Sequence, residues 1–415
     1  MTNNNPTLDS AVADPTNAGD VVGRPTPLRR YPEDIAAVAA GSLLAYRMPA
    51  VRGGLTTATA MMFVPKGPAP SNGFPLVVFC HGTEGWVASF APSVWVQNGG
   101  HPVYGGHWLY GDWIVDLVST GHVVVAVDYE GLGDPALGVP QTGHPYLNRS
   151  SEAYSAVYGA VAAKRALGPA LSGAWAAVGH SQGGRVAIGA AEFASDAIAA
   201  EPSLDFRGGI AASPSTNIWA KLNERWAQAK KKSTSGDLAG AIPYLALINA
   251  YSFMFVRSFM TSGHDIDPSE LYGERGIDLF TRLRDADIVI MLDEATKDIA
   301  RFIYNTPEGA RIKRPDTYPG FNVEAANRRM GPIMEANEIG RVRIPGDMLV
   351  IQGAADAYTP DYWTIELVNR MLADGSYVRL SLHAGTDHYG LLHSPHAKAI
   401  MRQHLSKLFG DFSRG

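Results

Sequence analysis

Short apolar runs alternate with longer segments of mixed polarity through most of this chain. Six runs have the length and composition of buried strands, at residues 76–80, 122–127, 175–178, 206–212, 348–353 and 377–382. Helical patterns lie between or after them, at residues 109–119 and 185–195, at 361–372, and up to residue 409. Apolar strands separated by helices indicate a mostly parallel sheet covered by helices, the α/β class.

The alternation stops after residue 212, and a mostly helical region follows. Its predicted helices span residues 218–231, 238–260, 269–283, 294–304 and 323–338. We therefore predict one sheet domain in two parts, residues 28–214 and 345–415, with a helical cap at 215–344. Residues 1–27, which are rich in Asn, Thr, Asp, Pro and Gly, are predicted to be a flexible tail. Such a cap would lie over the carboxyl ends of the strands, where it can form a substrate pocket and exclude water.

Residues 179–184 carry the most informative motif. They read Gly-His-Ser-Gln-Gly-Gly and stand between a predicted strand and a predicted helix. A sharp strand-to-helix turn of this G-x-S-x-G type exposes its serine hydroxyl, and its glycines fit where no Cβ could. The helix that follows directs free backbone N–H groups to the place where negative charge develops in acyl transfer. Ser181 is therefore the predicted nucleophile.

A serine nucleophile needs a histidine base, and the histidine needs a carboxylate that fixes its tautomer. In folds with this turn the chain order is serine, acid, histidine. Asp356 lies in the loop after the strand at 348–353, and His388 lies just past the strand at 377–382. We predict a triad of Ser181, Asp356 and His388.

Each assignment has alternatives. Asp361 follows a proline and fits a helix start, while Asp387 is adjacent to the histidine and would point away from its ring. The other histidines nearby are His383, at the end of the strand, and His393 and His396, at the start of the last predicted helix. Because the cluster of His388, His393 and His396 lacks metal-ligand spacing and matching cysteines, we predict no metal site. Cys80, the only cysteine, is predicted to be a buried strand residue rather than a nucleophile.

The oxyanion hole is predicted to use two backbone N–H groups. One belongs to Gln182, directly after the nucleophile, and the other to Thr83, in the loop after the strand at 76–80. Glu84 is the alternative second donor. Residues near the strand ends and in the cap are candidates for the substrate pocket, namely Glu84, Trp86, Tyr129, Glu130, Tyr251 and Phe255. For Trp86, plain core packing is the competing role, and Glu130 could instead orient a neighbouring loop or simply be solvated.

Composition narrows the classes of function. The hydrophobic share of 46% and the charged share of 18% are typical of a soluble globular protein. A net charge of −5 argues against nucleic acid or an anionic membrane as a partner. With a single cysteine, no intrachain disulfide can form. No signal peptide is visible in residues 1–27, so a cytoplasmic location is the default expectation, although a secreted form whose leader has been removed would look the same.

One stretch, residues 242–256, carries no charge and is rich in aromatic side chains. A membrane span needs about 20 predominantly apolar residues, and Pro243, Asn249 and Ser252 interrupt this one. Because a helix that is apolar on all sides is more often buried, we expect a buried cap helix and no stable membrane insertion. A pocket-lining or lipid-facing lid and a membrane anchor are the alternatives.

Three motifs together resemble the α/β-hydrolase superfamily of serine hydrolases. They are Cys-His-Gly-Thr-Glu-Gly at residues 80–85, Asp-Tyr-Glu-Gly-Leu-Gly at 128–133, and the segment at 179–184. More narrowly, they resemble the secretory-lipase group, which includes the lipase-A type enzymes of yeasts and their bacterial relatives. The resemblance covers roughly residues 40–410.

This resemblance implies Ser181, Asp356 and His388 as the triad, carboxylic-ester substrates, no cofactor, and a helical cap between the strand after the elbow helix and the strand that bears the acid. The chain departs from the yeast enzymes in lacking a visible secretion signal and disulfides. That departure puts an extracellular, fat-digesting role in doubt and leaves the chemistry unaffected.

The predicted function is hydrolysis of a small-molecule or lipid ester through an acyl-enzyme. The same triad could transfer the acyl group to an alcohol or amine, or cleave an amide as an amidase or peptidase. A non-catalytic hydrolase-like binding protein is the alternative of a different class; such proteins usually have a broken triad, whereas all three members are present here. The sequence leaves a homodimer open.

Overall fold

A nine-stranded sheet organises the part of the chain that the computed structural model describes, residues 16–99, 108–305 and 318–410. Its strands are β1 Thr26–Pro27, β2 Ala39–Pro49, β3 Leu55–Pro65, β4 Phe74–Cys80, β5 Val123–Val127, β6 Leu171–His180, β7 Asp205–Ala212, β8 Asp347–Gly353 and β9 Tyr377–His383. Their order across the sheet is β1-β2-β3-β5-β4-β6-β7-β8-β9.

Fifteen α-helices accompany the sheet within these residues. In the sheet domain they are α1 Glu33–Val38, α2 Pro92–Asn98, α3 Gly111–Ser119, α4 Arg149–Leu167, α5 Gln182–Glu192, α6 Ala194–Ala200, α13 Asp361–Ala373, α14 Gly390–His393 and α15 Pro395–Phe409. In the cap they are α7 Ile218–Thr234, α8 Leu238–Thr261, α9 Glu274–Arg282, α10 Ile288–Asn305, α11 Val323–Arg329 and α12 Gly331–Ala336.

The six strands from β5 to β9 across the sheet are parallel, and β1, β2 and β3 extend one edge in antiparallel pairing. The α/β prediction with a mostly parallel sheet is therefore confirmed, and each of the six predicted strands is present. Every residue of β4 and β5 is buried, because helices cover both faces of the sheet.

Two apolar cores lie on the two faces of the sheet. One contains Trp175 and Tyr46 together with residues of α4, α5 and α13. The other contains Phe79 and Trp113 together with residues of α1, α3 and α15. The parallel strands are thus held between two helical layers, and their carboxyl ends share one edge of the sheet.

The cap has its own apolar core, which includes Phe253, Phe255 and Met291. Two predicted cap helices differ in the structure. The helix expected at 269–283 begins only at Glu274, since Gly273 is extended, and the one expected at 323–338 is broken between α11 and α12 at Met330. Pro332 lies in the first turn of α12, and proline in the first turn favours the start of a helix.

Helix α8 contains the uncharged stretch. By length and composition it could cross a membrane, but 67% of its most apolar window is buried inside the protein. Its aromatic residues belong to the apolar core of the cap. The burial favours a cap helix that packs against protein rather than lipid.

The first described residues correct the prediction of a flexible tail. Gly19 and Val22 donate backbone hydrogen bonds of 2.7 and 2.8 Å to β2, and Thr26–Pro27 pairs with it as β1. The short polar segment thus covers the open edge of the sheet. The rest of the predicted tail, residues 1–15, lies outside the described residues.

Candidate active site

Ser181 stands at the turn between β6 and α5. Its backbone angles are φ 58° and ψ −118°, a region that residues with a side chain rarely adopt. Backbone hydrogen bonds hold the turn on both sides, from the Ser181 N–H to the Ala212 carbonyl at 2.9 Å and from the Ser215 N–H to the Ser181 carbonyl at 3.0 Å. This is the strained geometry that projects a nucleophile from the edge of a sheet.

The glycines of the motif are required by close backbone contacts. A Cβ on Gly179 would lie 2.1 Å from the Gly183 carbonyl oxygen, and one on Gly183 would lie 1.9 Å from the Cys80 carbonyl oxygen. Real Cβ atoms do not approach oxygen so closely. The glycines therefore let α5 begin directly against the end of β4, next to the loop that carries Thr83.

Asp356 and His388 are in direct contact. The distance from His388 Nδ1 to Asp356 Oδ2 is 2.7 Å, and both side chains are buried. The same carboxylate accepts hydrogen bonds from the backbone N–H groups of Tyr358 and Thr359, each at 2.8 Å, and from the Thr359 hydroxyl at 2.8 Å. Burial by itself raises the pKa of Asp356, but His388 and these donors hold that pKa well below its usual range.

The His388 ring lies beside the nucleophile turn. Its neighbour His180 directly precedes Ser181, with the two ring centres 4.5 Å apart, and Nε2 of His180 is 2.9 Å from the His388 carbonyl oxygen. Burial, and then the nearby His388, lower the pKa of His180 to about 3, so this ring is neutral and can donate to that carbonyl.

Within the described residues, no hydrogen bond joins the Ser181 hydroxyl to the His388 ring. Catalytic hydrogen bonds are often long in unliganded enzymes and shorten when substrate binds. The structure thus brings the predicted acid and the predicted base together and places them beside the Ser181 turn.

The two predicted oxyanion donors lie near the serine. Gln182 is the first residue of α5, so its N–H has no acceptor within the helix. Thr83 lines the same pocket as Ser181, and its hydroxyl is 2.9 Å from the Tyr146 hydroxyl. The preceding N–H, that of Gly82, donates to the Tyr110 hydroxyl at 2.8 Å, which fixes the loop.

A buried polar network beneath the serine was not foreseen from the sequence. The Gln182 side-chain amide donates to Glu152 Oε1 at 2.7 Å and to His144 Nε2 at 2.8 Å. His144 can accept there because its Nδ1–H donates to the Glu130 carbonyl at 2.9 Å, and burial lowers its pKa to about 3. Arg185 Nε lies 3.5 Å from Glu152 Oε2. The network anchors Gln182 and so orients its backbone N–H. No local motif in the sequence indicates this network.

An apolar pocket opens at Ser181 between the cap and the strand ends. The residues that line it are Thr83, Tyr146, Ser181, Ser215, Ile218, Lys221, Leu222, Arg225, Leu247, Ile248, Tyr251, Phe255, Tyr358 and Thr359. Tyr251 and Phe255, two of the predicted pocket residues, are among them, and both belong to α8. That helix therefore contributes to the pocket as well as to the core of the cap.

The other predicted pocket residues lie elsewhere, which corrects the expectation. Tyr129 is fully buried and donates its hydroxyl to the His81 carbonyl at 2.7 Å. Glu130 accepts from the Val51 N–H at 3.0 Å and also from the Ser151 hydroxyl, so it orients a loop. These side chains come from a strand end but point into the core, away from the pocket.

Trp86 and Glu84 also face away from the pocket wall. The Trp86 ring packs against the core of the cap and lies under the Arg257 guanidinium, 5.8 Å from its carbon. The Glu84 carbonyl accepts from the Ile288 N–H of the cap at 3.3 Å, and burial followed by the nearby Asp287 raises the pKa of its carboxyl. The loop after Thr83 thus joins the sheet domain to the cap.

The residues considered as alternatives for the acid and the nucleophile have structural roles. Asp361 is the first residue of α13, and Asp387 caps the next turn by accepting from the Gly390 N–H at 2.7 Å. Cys80 is fully buried, and burial raises the pKa of its thiol above the ordinary value. Across the described ranges, no cluster of three or more His, Cys, Asp or Glu side chains could hold a metal ion.

Comparison with known proteins establishes the fold. The sequence matches no protein-family model and no curated protein. Among solved structures, a rice cell wall degrading esterase, LipA from Xanthomonas oryzae, superposes with a TM-score of 0.66 at 18% identity, covering 94% of this chain and 100% of that one. Candida antarctica lipase A superposes with a TM-score of 0.59 at 15% identity, covering 90% of this chain and 78% of that one. The chain has the α/β-hydrolase fold.

Proposed function

We propose that this protein is a serine hydrolase that cleaves carboxylic esters through an acyl-enzyme. The observation that carries the proposal is the buried Asp356–His388 pair, 2.7 Å apart, next to the strained Ser181 turn and its pocket. The structural neighbours, which are described as an esterase and a lipase, support the same class of reaction.

In the proposed reaction the Ser181 oxygen attacks the ester carbonyl carbon while His388 Nε2 takes its proton. Asp356 holds Nδ1 protonated and stabilises the imidazolium. The N–H groups of Gln182 and Thr83 bind the oxyanion of the tetrahedral intermediate. His388 then gives its proton to the leaving alcohol as the C–O bond breaks. Water attacks the acyl-enzyme by the same steps in turn, which releases the carboxylic acid and restores the serine.

The first test is covalent labelling with a neutral fluorophosphonate. The wild type is expected to take up one probe molecule, measured by intact mass, and Ser181→Ala none. Hydrolysis of p-nitrophenyl butyrate should fall in that variant by a factor on the order of 10⁶, the scale of a triad serine. Circular dichroism checks that the variant remains folded.

Ser215→Ala is the matched control, since this serine lines the same pocket. It should still carry the label. Labelling of folded Ser181→Ala at the wild-type rate would overturn the proposal, and so would a wild type that neither takes up the probe nor hydrolyses any ester of a panel from two to sixteen carbons.

A further inference from the structure

Helix α7 directs two cationic side chains into the pocket that contains Ser181. Ile218, Lys221, Leu222 and Arg225 follow the spacing of one helix face, and all four line the pocket. Of the described residues that line it, Lys221 and Arg225 are the ionisable cationic ones, and no acidic residue is among them. The other lining residues are apolar or neutral.

Lys221 has no anionic partner among the residues that the structure describes. Within residues 16–99, 108–305 and 318–410, its ammonium forms no hydrogen bond and no ion pair. Asp356 and Glu224 are the carboxylates whose negative charges act on Lys221. Asp356 is occupied by His388 and its other donors. The Tyr362 hydroxyl donates to the Glu224 carboxylate, with its oxygen 2.8 and 2.7 Å from the two carboxylate oxygens.

Burial, and then the Arg225 guanidinium, lower the pKa of Lys221 to about 7. Arg225 itself donates to the Ala357 carbonyl at 2.8 Å, which uses only part of its donor capacity. It lines an adjoining pocket as well, so it stands where the two pockets meet.

A cation that is partly removed from water and left unpaired is costly, and a bound anion would offset that cost. A plain hydrocarbon acyl chain would instead desolvate Lys221 further without compensating its charge. An ester that carries its own negative charge would gain a charge-assisted hydrogen bond in the same place. A pocket of this charge is therefore expected to favour an anionic substrate over a neutral one.

We propose that Lys221 and Arg225 bind a carboxylate carried by the substrate, so that the preferred esters are anionic. This inference rests on the proposed ester hydrolysis and specifies its substrate class. The carboxylate belongs to the acyl part or to the alcohol part of the ester.

The experiment measures kcat/KM for two matched pairs of esters. Mono-p-nitrophenyl glutarate, with the charge on the acyl part, is compared with p-nitrophenyl butyrate. 3-Carboxyphenyl butyrate, with the charge on the alcohol part, is compared with phenyl butyrate. The wild type should prefer the anionic member of one pair, and Lys221→Met should lower that ratio by about 10- to 100-fold, as expected for a lost hydrogen bond to a charged group.

Two further variants sharpen the result. Lys231→Met removes an exposed lysine near the end of the same helix and should leave both ratios as in the wild type. Lys221→Arg keeps the charge and should retain most of the preference. Arg225→Gln should lower the same ratio as Lys221→Met.

The outcomes separate this inference from the proposed function. If neutral esters are hydrolysed and Ser181 is labelled but neither ratio depends on Lys221, the inference is wrong and the ester hydrolase stands. Calorimetry on Ser181→Ala adds a readout without turnover, since glutarate monomethyl ester should bind to it and bind more weakly to the double variant with Lys221→Met. Equal binding to both proteins would also overturn the inference.

Discussion

Ser181 keeps a backbone conformation that costs about 1–3 kcal/mol for a residue with a side chain. The cost is compensated by the hydrogen bonds of the turn to Ala212 and Ser215 and by the tight contact of α5 with β4. The Asp356 side chain is also held in one position, because both of its oxygens accept hydrogen bonds. At the residue scale, then, the site is built before any substrate arrives.

Replacing Asp356 with Asn tests the proposed role of the carboxylate. The variant keeps the shape of the side chain but cannot hold His388 Nδ1 in the protonated form, because an amide nitrogen is a donor. We expect kcat for p-nitrophenyl butyrate to fall by about 10⁴, with little change in the melting temperature.

Asp387→Asn is the control at a neighbouring acid that only caps a turn, and it should retain activity near that of the wild type. If the loss instead followed Asp387, or if Asp356→Asn remained fully active, the assignment of the acid would be wrong.

At the element scale, the contact between α5 and β4 decides how Ser181 meets the loop that carries Thr83. Gly183 lies in α5 with its Cα facing the Cys80 carbonyl, and Gly189, two turns later, has ordinary space around it. The nearest atom to a Cβ on Gly189 would be the Ala153 Cβ, at 3.4 Å. Gly183 is therefore required by a close backbone contact, whereas Gly189, in the same helix, is not.

Gly183→Ala is expected to force α5 away from β4. We expect it to lower the free energy of unfolding by about 1–3 kcal/mol and to impair labelling of Ser181, because the Gln182 N–H moves with the helix. Gly189→Ala should be neutral or raise the free energy of unfolding by up to about 1 kcal/mol, as alanine does within helices. Chemical denaturation measures both. Equal effects would show that helix propensity, and not the close contact, is what matters.

At the scale of the whole molecule, Glu338 joins the cap to the sheet domain. It accepts from the Thr216 hydroxyl at 2.9 Å and the Asn217 N–H at 3.1 Å, where the chain enters the cap, and it belongs to the segment where the chain leaves it. It also lies 3.8 Å from Arg185 Nη1, on the helix that follows Ser181. The two ends of the insert are thereby tied to each other and to α5.

Glu338→Ala should lower the free energy of unfolding by about 3 kcal/mol, because it leaves the buried Arg185 and two donors without this acceptor. Glu335→Ala, three residues earlier and exposed on α12, should change it by less than about 0.5 kcal/mol. Urea denaturation measures both variants. A loss at Glu335 equal to that at Glu338 would contradict the role of Glu338 as a tie between the two parts.

Local patterns in the sequence were sufficient to predict the parallel strands, the Ser181 turn and the chain order of the candidate triad, because each of these depends on residues that are neighbours in the chain. The antiparallel strands β2 and β3 and the helix α4 were not anticipated. Most of α4 is buried, and many of its own residues are small, such as Ala and Ser. The helix therefore lacks the apolar stripe that would mark a surface helix in the sequence.

Which side chains enter the pocket could be decided only by tertiary structure. Tyr129 and Glu130 end a strand at the correct edge, yet the turn directs them into the core, whereas Tyr251 and Phe255 reach the pocket from the cap. The sequence by itself determined the sheet class and the candidate nucleophile, since periodicity and glycine spacing are local. The network behind Gln182 and the unpaired Lys221 arise from contacts between segments far apart in the chain, and such contacts exist only once the cap has packed on the sheet.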